Sequence, residues 1–144
     1  MKEIKIHTDG GARGNPGPAG IGVVVKDGQK TIFSYSGYIG QATNNIAEYR
    51  AVLKAFDWLV ENRQMLASFS RASCYLDSLL IASQLSGRYK IKAPHLAALA
   101  ATIKKKEKQL PFKIFYYHIA RSKNTEADAL VNQALDKKAL LTSR

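Results

Sequence analysis

The chain contains 144 residues, 46% of them hydrophobic, and its 22 basic and 11 acidic residues give a formal net charge of +11. This length is enough for one domain with a buried core, and this apolar content excludes an intrinsically disordered chain. The basic excess favours a polyanionic partner, with nucleic acid ahead of an anionic membrane, although a basic surface without a partner is also consistent with the charge.

Polar and apolar residues alternate along the first part of the chain, which predicts a meander of three antiparallel strands with a hairpin turn at Asp27-Gly28. Helical spacing then alternates with short apolar runs, so the later strands are expected to run parallel to the first. Thr43 to Asn45 offer caps for the first helix, and Asn124 for the last. The predicted elements are strands at about 3–8, 20–26 and 30–39, a helix at 46–62, a strand at 71–76, a short helix ending at 85, a helix at 94–109, a strand at 112–119 and a helix at 125–138.

The single cysteine and the absence of long apolar runs bear on the cellular compartment. Cys74 lies in an apolar segment and has no second cysteine to pair with, which predicts a reducing environment and a buried structural thiol. No apolar run approaches the length of a membrane span, and the first residues alternate charged with apolar side chains without a signal-peptide core. We therefore expect a cytoplasmic protein with no membrane association.

Four acidic residues occupy positions at which the predicted elements can present them together. Asp9 and Asp77 each follow a predicted strand, and Glu48 and Asp128 each fall in the first turn of a predicted helix. Parallel strands bring their carboxyl ends to one sheet edge, and a helix N-terminus stabilises an anion. Converging carboxylates repel one another unless a cation lies between them, and hard oxygen ligands suit Mg²⁺ or Mn²⁺. Each acid taken singly is better explained as a turn or cap residue; the combination predicts a metal site.

A glycine-rich run, GGARGNPGP at residues 10–18, directly follows Asp9. We predict a turn there, with backbone N–H groups free to approach phosphates. A dinucleotide-binding or P-loop interpretation fails because a strand follows the glycines and no Gly-Lys-Ser/Thr occurs.

Five motifs follow one another along the chain: TDGG at 8–11, GNPGPAG at 14–20, TNNIAE at 43–48, DS at 77–78 and NTEADAL at 124–130. In this order they resemble the motifs of type 1 ribonuclease H over nearly the whole chain. The resemblance implies one ribonuclease H domain over residues 1–144, an α/β fold with a mixed five-stranded sheet (three antiparallel strands, two parallel) flanked by helices on both faces. It also implies catalytic and metal-binding roles for Asp9, Glu48, Asp77 and Asp128.

The same resemblance implies cleavage of the RNA strand of RNA–DNA hybrids, leaving 3′-hydroxyl and 5′-phosphate ends. We hypothesise two Mg²⁺ ions about 4 Å apart, replaceable by Mn²⁺, with Asp9 as the bridging ligand. One ion activates the attacking water and the other stabilises the leaving 3′-oxygen. The partner is then the hybrid duplex, no protein partner is evident, and we expect a monomer. A nuclease of this fold with another duplex target and a hybrid-binding module without turnover are the alternatives.

Selectivity for RNA requires contacts to the ribose 2′-hydroxyl. Glycines remove bulk at 10–11, so the backbone of the run can approach the minor groove, and the resemblance implies that the neighbouring asparagines touch the hybrid and Thr43 a DNA phosphate. Arg121 either contacts phosphate or is an ordinary solvated arginine. The residues expected to contact the hybrid are Gly11, Ala12, Arg13, Asn15, Thr43, Asn44, Asn45 and Arg121.

Some residues depart from the family pattern or have two interpretations. Leu79 stands where many members carry glutamine, which leaves that substrate contact in doubt. His118 is either the family's product-release histidine or a strand residue, and Trp58 packs either on the DNA strand or in the core. The tyrosines, Tyr75 and Tyr117 among them, are interpreted as core or rim residues rather than as stacking platforms.

Overall fold

The computed structural model describes residues 2–142, so Met1, Ser143 and Arg144 of the predicted domain lie outside the described residues. The predicted order of strands and helices is confirmed, with one additional short 3₁₀ turn. The elements are β1 (Glu3–Ala12), β2 (Gly17–Asp27), β3 (Lys30–Ala42), α1 (Asn44–Glu61), β4 (Arg71–Leu76), α2 (Leu79–Leu85), α3 (Pro94–Lys108), β5 (Lys113–His118), the 3₁₀ turn (Arg121–Lys123) and α4 (Thr125–Thr142).

The five strands form one mixed sheet in the order β3-β2-β1-β4-β5. β1 pairs antiparallel with β2 and parallel with β4, β2 pairs antiparallel with β3, and β4 pairs parallel with β5. This arrangement confirms the predicted combination of an antiparallel meander with two parallel strands. The carboxyl ends of β1 and β4 therefore lie side by side.

The main core lies between one face of the sheet and the helices α1 and α3. Ile4 and Ile6 of β1 and Phe56 and Leu59 of α1 are completely buried there, because alternate strand residues and one helical stripe face the same apolar layer. Cys74 is also completely buried in this core. Burial raises the pKa of its thiol to about 12, which agrees with the predicted structural role.

The glycine-rich run differs from its predicted form. β1 does not end at Thr8 but continues to Ala12, and Gly10 and Gly11 pair with residues of β2. The turn itself is confined to the segment after Ala12, where Gly14 has a φ of 90°. The prediction of a turn that begins directly after Asp9 was wrong, because Gly10 and Gly11 are paired with β2 and the backbone of α1 packs closely on Gly10.

The first helix also begins earlier than predicted, at Asn44, and Thr43 is its N-cap, with its hydroxyl accepting a hydrogen bond from the N–H of Ile46. Glu48 consequently lies in the second turn of α1 and not in the first. Asp128 does lie in the first turn of α4, as predicted. None of the helices between residues 2 and 142 combines the length and apolar character needed to cross a membrane.

Candidate active site

Three of the predicted acids meet at the carboxyl end of the central strands. Asp9 comes from β1, Glu48 from α1, and Asp77 directly follows β4; one carboxylate oxygen of each lies within 4.8 Å of those of the other two. Asp9 and Glu48 are each only 7% exposed. Asp128 is outside this close group but lines the same cleft. The predicted convergence of acidic side chains is therefore present, with three members tightly clustered and the fourth on the cleft wall.

Gly10 allows Glu48 to lie next to Asp9. A Cβ at Gly10 would be 2.2 Å from the carbonyl carbon of Ala47 and 2.5 Å from the backbone nitrogen of Glu48, distances at which a side chain cannot exist. The backbone of α1 thus packs directly on β1 at this point. Because Glu48 follows Ala47 at that contact, its carboxylate is brought to the strand residue that precedes Gly10.

Gly22 plays the corresponding part for Asp128. Gly22 is the register partner of Asp9 on β2, and a Cβ there would be 2.3 Å from the carbonyl oxygen of Ala127. The first turn of α4 therefore packs on the sheet directly across from Asp9. Sequence reasoning assigned Gly22 no role of its own; the signal was a glycine inside an otherwise apolar strand, which marks a close backbone approach.

Asn124 holds the third acid in place. Its side-chain amide donates hydrogen bonds to Asp77 Oδ2 (3.1 Å) and to the carbonyl oxygen of Thr8 (2.9 Å). Asn124 is 1% exposed, and its side-chain oxygen has no hydrogen-bond partner within the described part of the chain. Its side chain thus joins β1 to the end of β4, a role different from the predicted helix cap.

Burial and mutual repulsion disfavour negative charge on the clustered carboxylates. Burial, followed by the charges of Asp77 and Asp128, raises the pKa of Asp9 to about 7, although the Gly10 N–H donates to its Oδ1 at 2.9 Å. Burial and the charges of Asp9 and Asp77 raise the pKa of Glu48, and the nearby Arg121 opposes this shift. Glu48 Oε2 is buried without a hydrogen-bond partner among residues 2–142.

These features fit a divalent cation. An unpartnered buried carboxylate oxygen next to two further carboxylates offers the hard, anionic donor set that Mg²⁺ and Mn²⁺ prefer. A cation among these carboxylates offsets both the burial of their charge and their mutual repulsion, the two causes that raise the pKa values of Asp9 and Glu48. Asp9, Glu48 and Asp77 are therefore the residues that can hold it.

The acids open into a cleft of about 520 Å³. Of the residues predicted to contact a substrate, the cleft is lined by Gly11, Ala12, Arg13, Asn44, Asn45 and Arg121. The other two predicted contact residues, Asn15 and Thr43, do not line the cleft but contact the start of α1. Asn15 Oδ1 accepts a hydrogen bond from the backbone N–H of Asn44 (3.0 Å), and Thr43 caps the helix. Asn44 in turn accepts a hydrogen bond from the N–H of Ala12 (2.8 Å), so the glycine-rich segment and the start of α1 form one surface.

The cleft also contains Ser78, which was identified from the sequence only as part of the DS motif, and Asn132, which was not identified from it. Asn132 donates to Asp128 Oδ2 at 3.4 Å, and its position one helical turn after Asp128 was the available signal.

The structure also places the residues with open interpretations. His118 is the last residue of β5, opposite Leu76, and belongs to the strand. Leu79 is 53% exposed and follows the cleft residue Ser78. The ring of Trp58 stacks on Phe33, with centroids 4.9 Å apart, and packs against the core.

Comparison with known proteins identifies the family. The model of the RNase H family matches residues 1–136. The chain belongs to the RNase H family. A bifunctional protein of Mycobacterium tuberculosis is 39% identical over 139 residues, which are 95% of this chain and 36% of that protein. Ribonuclease HI of Halobacterium salinarum is 35% identical over 135 residues, 92% of this chain and 64% of the enzyme. The chain thus spans about a third of the length of the mycobacterial protein and less than two thirds of the archaeal one.

A solved structure shares the fold over its whole length. LC11-RNase H1, isolated from compost, matches with a TM-score of 0.89 and 45% identity, covering 96% of this chain and 99% of that protein. The same protein in complex with an RNA/DNA hybrid matches with a TM-score of 0.87 and 43% identity, covering 94% and 99% of the two chains. The acidic cluster of this RNase H family member lies where the carboxyl ends of the parallel strands β1 and β4 meet, as predicted from the sequence.

Proposed function

We propose that this chain is a ribonuclease H domain over residues 1–144 that hydrolyses the RNA strand of RNA–DNA hybrids with Mg²⁺, leaving 3′-hydroxyl and 5′-phosphate ends. The observation that carries the proposal is the cluster of Asp9, Glu48 and Asp77, whose carboxylate oxygens lie within 4.8 Å of one another in an open, mainly polar cleft. Membership of the RNase H family supports the reaction class, and the hybrid complex of LC11-RNase H1 supports the substrate.

In this proposal Asp9, Glu48 and Asp77 hold the cation, with Asp128 completing the site from α4. A bound divalent cation supplies Lewis acidity, which stabilises charge developing at the phosphodiester and increases the acidity of water. The protein's own part is to hold the carboxylates in place through the contacts at Gly10, Gly22 and Asn124. Mn²⁺ is expected to replace Mg²⁺ because both prefer oxygen ligands.

Substrate recognition is assigned to the wall formed by the glycine-rich segment and α1. The backbone at Gly11 and Ala12 is close to the surface, and the amides of Asn44 and Asn45 offer donors and acceptors to the ribose 2′-hydroxyl and the base edges. Arg121 lies near Glu48 and at the cleft, where its guanidinium suits a phosphate.

The test is cleavage of matched, labelled RNA–DNA, RNA–RNA and DNA–DNA duplexes in Mg²⁺, Mn²⁺ or chelator. We expect cleavage only of the RNA strand of the hybrid, in either metal, and none in chelator. Asp9→Asn is expected to abolish turnover. Glu126→Gln is the matched control, because Glu126 is an exposed acid of α4 that pairs with Lys26 and does not line the cleft.

The outcomes separate the alternatives. Preferred cleavage of another duplex identifies a same-fold nuclease with a different target. Tight hybrid binding without cleavage in either metal identifies a binding module. Full turnover in Asp9→Asn refutes the assignment of the site.

A further inference from the structure

A row of aromatic rings crosses the sheet below the active site and ends at its edge. His7, Tyr75 and Tyr117 are register partners on β1, β4 and β5. Their rings are stacked, with centroids 4.9 Å apart for His7 and Tyr75 and 5.5 Å apart for Tyr75 and Tyr117. Because β5 is an edge strand, Tyr117 is the last ring of the row, and its side chain is 40% exposed.

A second exposed ring lies beside it. Phe115, two residues earlier on β5, is also 40% exposed, whereas Tyr116 between them is buried; the alternation of strand side chains therefore directs both rings away from the core. The guanidinium of Arg71 lies 4.1 Å from the Phe115 ring centroid and donates a hydrogen bond to the Tyr117 hydroxyl at 2.6 Å. Arg71 therefore contacts both side chains, and both remain partly exposed to solvent.

The surroundings of these rings are basic. Phe115, Tyr117 and Arg88 are among the residues that line a small cleft of about 280 Å³. Arg88 and Lys113 are exposed, and neither forms an ion pair with the described residues. The one acid of this cleft, Glu107, accepts hydrogen bonds from Lys104 and the Tyr116 hydroxyl, so its charge is already engaged. We call Phe115, Tyr117, Arg88 and Lys113 the β5 edge surface.

We propose that the β5 edge surface binds unpaired single-stranded DNA, with a base stacked on Tyr117. Exposed rings next to cations are the combination by which proteins bind single strands, since every base offers a π-face and every nucleotide a phosphate. A duplex is a poor occupant because its base faces are already stacked on one another. The net charge of +11 suits the same polyanionic partner.

DNA rather than RNA is the expected strand. This choice rests on the proposed function, because hydrolysis of the RNA strand leaves the DNA strand of the hybrid intact and unpaired, whereas stacking and phosphate contacts alone do not distinguish the two kinds of strand. Tyr75, on which Tyr117 stacks, precedes the active-site residue Asp77 by two residues, about 7 Å along an extended chain, so the row of rings connects the neighbourhood of the active site with this surface. An unpaired DNA end leaving the active-site cleft can therefore reach it, and Tyr117, interpreted from the sequence as a core or rim residue rather than as a stacking platform, acquires a binding role.

The experiment measures binding of a short fluorescent oligothymidylate and its oligouridylate counterpart at low salt by anisotropy. Tyr117→Leu removes the ring, and Tyr117→Phe keeps the ring but loses the hydroxyl. Tyr38→Leu is the matched control, because Tyr38 is a similarly exposed tyrosine (38%) on the opposite edge strand β3. Cleavage of a blunt RNA–DNA hybrid is measured in parallel on each variant.

We expect oligothymidylate to bind at least as tightly as oligouridylate, and Tyr117→Leu to weaken the binding of oligothymidylate by about fivefold or more. Tyr117→Phe and Tyr38→Leu should bind as the parent does, and blunt-hybrid cleavage should be unchanged in all of them. Equal binding by Tyr117→Leu and the parent overturns the proposal, and tighter binding of oligouridylate overturns the assignment to DNA. Because hybrid cleavage is a separate readout, its failure would leave this result unaffected.

Photocrosslinking of the unmodified protein to iodouracil-substituted oligonucleotide provides the second measurement, which does not depend on any variant folding. Crosslinks mapped to Phe115 or Tyr117 support the surface. Crosslinks found only at other residues, such as those of the active-site cleft, refute it.

Discussion

Replacing Asp9 by asparagine is expected to stabilise the metal-free protein, although it removes the central ligand of the proposed metal site. Burial of Asp9, followed by the charges of Asp77 and Asp128, raises its pKa from 3.8 to about 7. At 1.36 kcal/mol for each tenfold change in the proton equilibrium, this corresponds to an upper limit of about 4 kcal/mol of unfavourable charge in the folded state near neutral pH. Asparagine has nearly the same shape, can still accept the hydrogen bond from the Gly10 N–H, and carries no charge. We expect a gain of ~1–3 kcal/mol, because water and structural relaxation reduce the full value.

The stability difference between Asp9→Asn and the parent is expected to depend on pH. A carboxylic acid whose folded pKa is raised binds a proton more tightly in the folded state, so the folded protein gains relative stability as the pH falls from about 7 towards 4. The advantage of Asp9→Asn should thus be complete above pH 7 and should vanish towards pH 4, where the parent carries the proton itself. The structural cause is the burial of Asp9, to which the repulsion from the carboxylates of Asp77 and Asp128 adds.

Urea denaturation in chelator, at about pH 8 and about pH 4.5, measures the effect as a shift of the midpoint at constant slope. Added Mg²⁺ should then stabilise the parent but not Asp9→Asn, because binding to the folded state alone raises the free energy of unfolding. Glu126→Gln, which removes an exposed charge of α4, should give no comparable gain. A variant no more stable than the parent at the higher pH, or a gain that does not change with pH, would refute the electrostatic account of the cluster.

Three further predictions concern the contacts that form the site. Gly10→Ala should destabilise the protein by ~3 kcal/mol or more, because its Cβ would lie 2.2 Å from the carbonyl carbon of Ala47. Gly11→Ala is the control and should retain stability, because the atom nearest to its Cβ would be 3.8 Å away. Thermal denaturation compares the two variants, and equal losses of stability would contradict the close-contact argument. Asn124→Ala should lower the free energy of unfolding by ~1–3 kcal/mol. It should also raise the Mg²⁺ concentration needed for half-maximal stabilisation, because Asp77 loses its hydrogen-bond donor. Asn132→Ala is the control, because the hydrogen bond from Asn132 to Asp128 is long and exposed; an unchanged Mg²⁺ requirement in Asn124→Ala would count against the positioning role. Burial raises the pKa of Cys74 to about 12, so its thiol should react with a disulfide reagent only after denaturation; rapid labelling of the folded protein would show that this core is open.

The sequence predicted that Asp9, Glu48 and Asp77 converge, but it did not predict which contacts bring them together. Asp9, Glu48, Asp77 and Asp128 stand out because their motifs have a recognisable order. The elements that carry them were also identified, because the polar–apolar period of each strand and helix is a local property. The wrong details were the limits of β1 and the start of α1, where a glycine run was interpreted as a turn and Glu48 was placed one turn too early in its helix.

Those details depend on contacts between residues far apart in the chain. Gly10 and Gly11 remain in the ladder because α1 and β2 close around them, and no local pattern distinguishes such a glycine from one in a turn. The bond from Asn124 to Asp77 and the stacking of Tyr75 on Tyr117 likewise exist only when β1, β4 and β5 are neighbours. Periodicity and motifs by themselves thus determined the elements and the chemistry of their side chains. The distances between the three carboxylates of the cation site, and between the three stacked rings, depend on the tertiary structure alone. The residues of each set come from different strands and helices, so the distances between them depend on how closely the backbones of those elements pack.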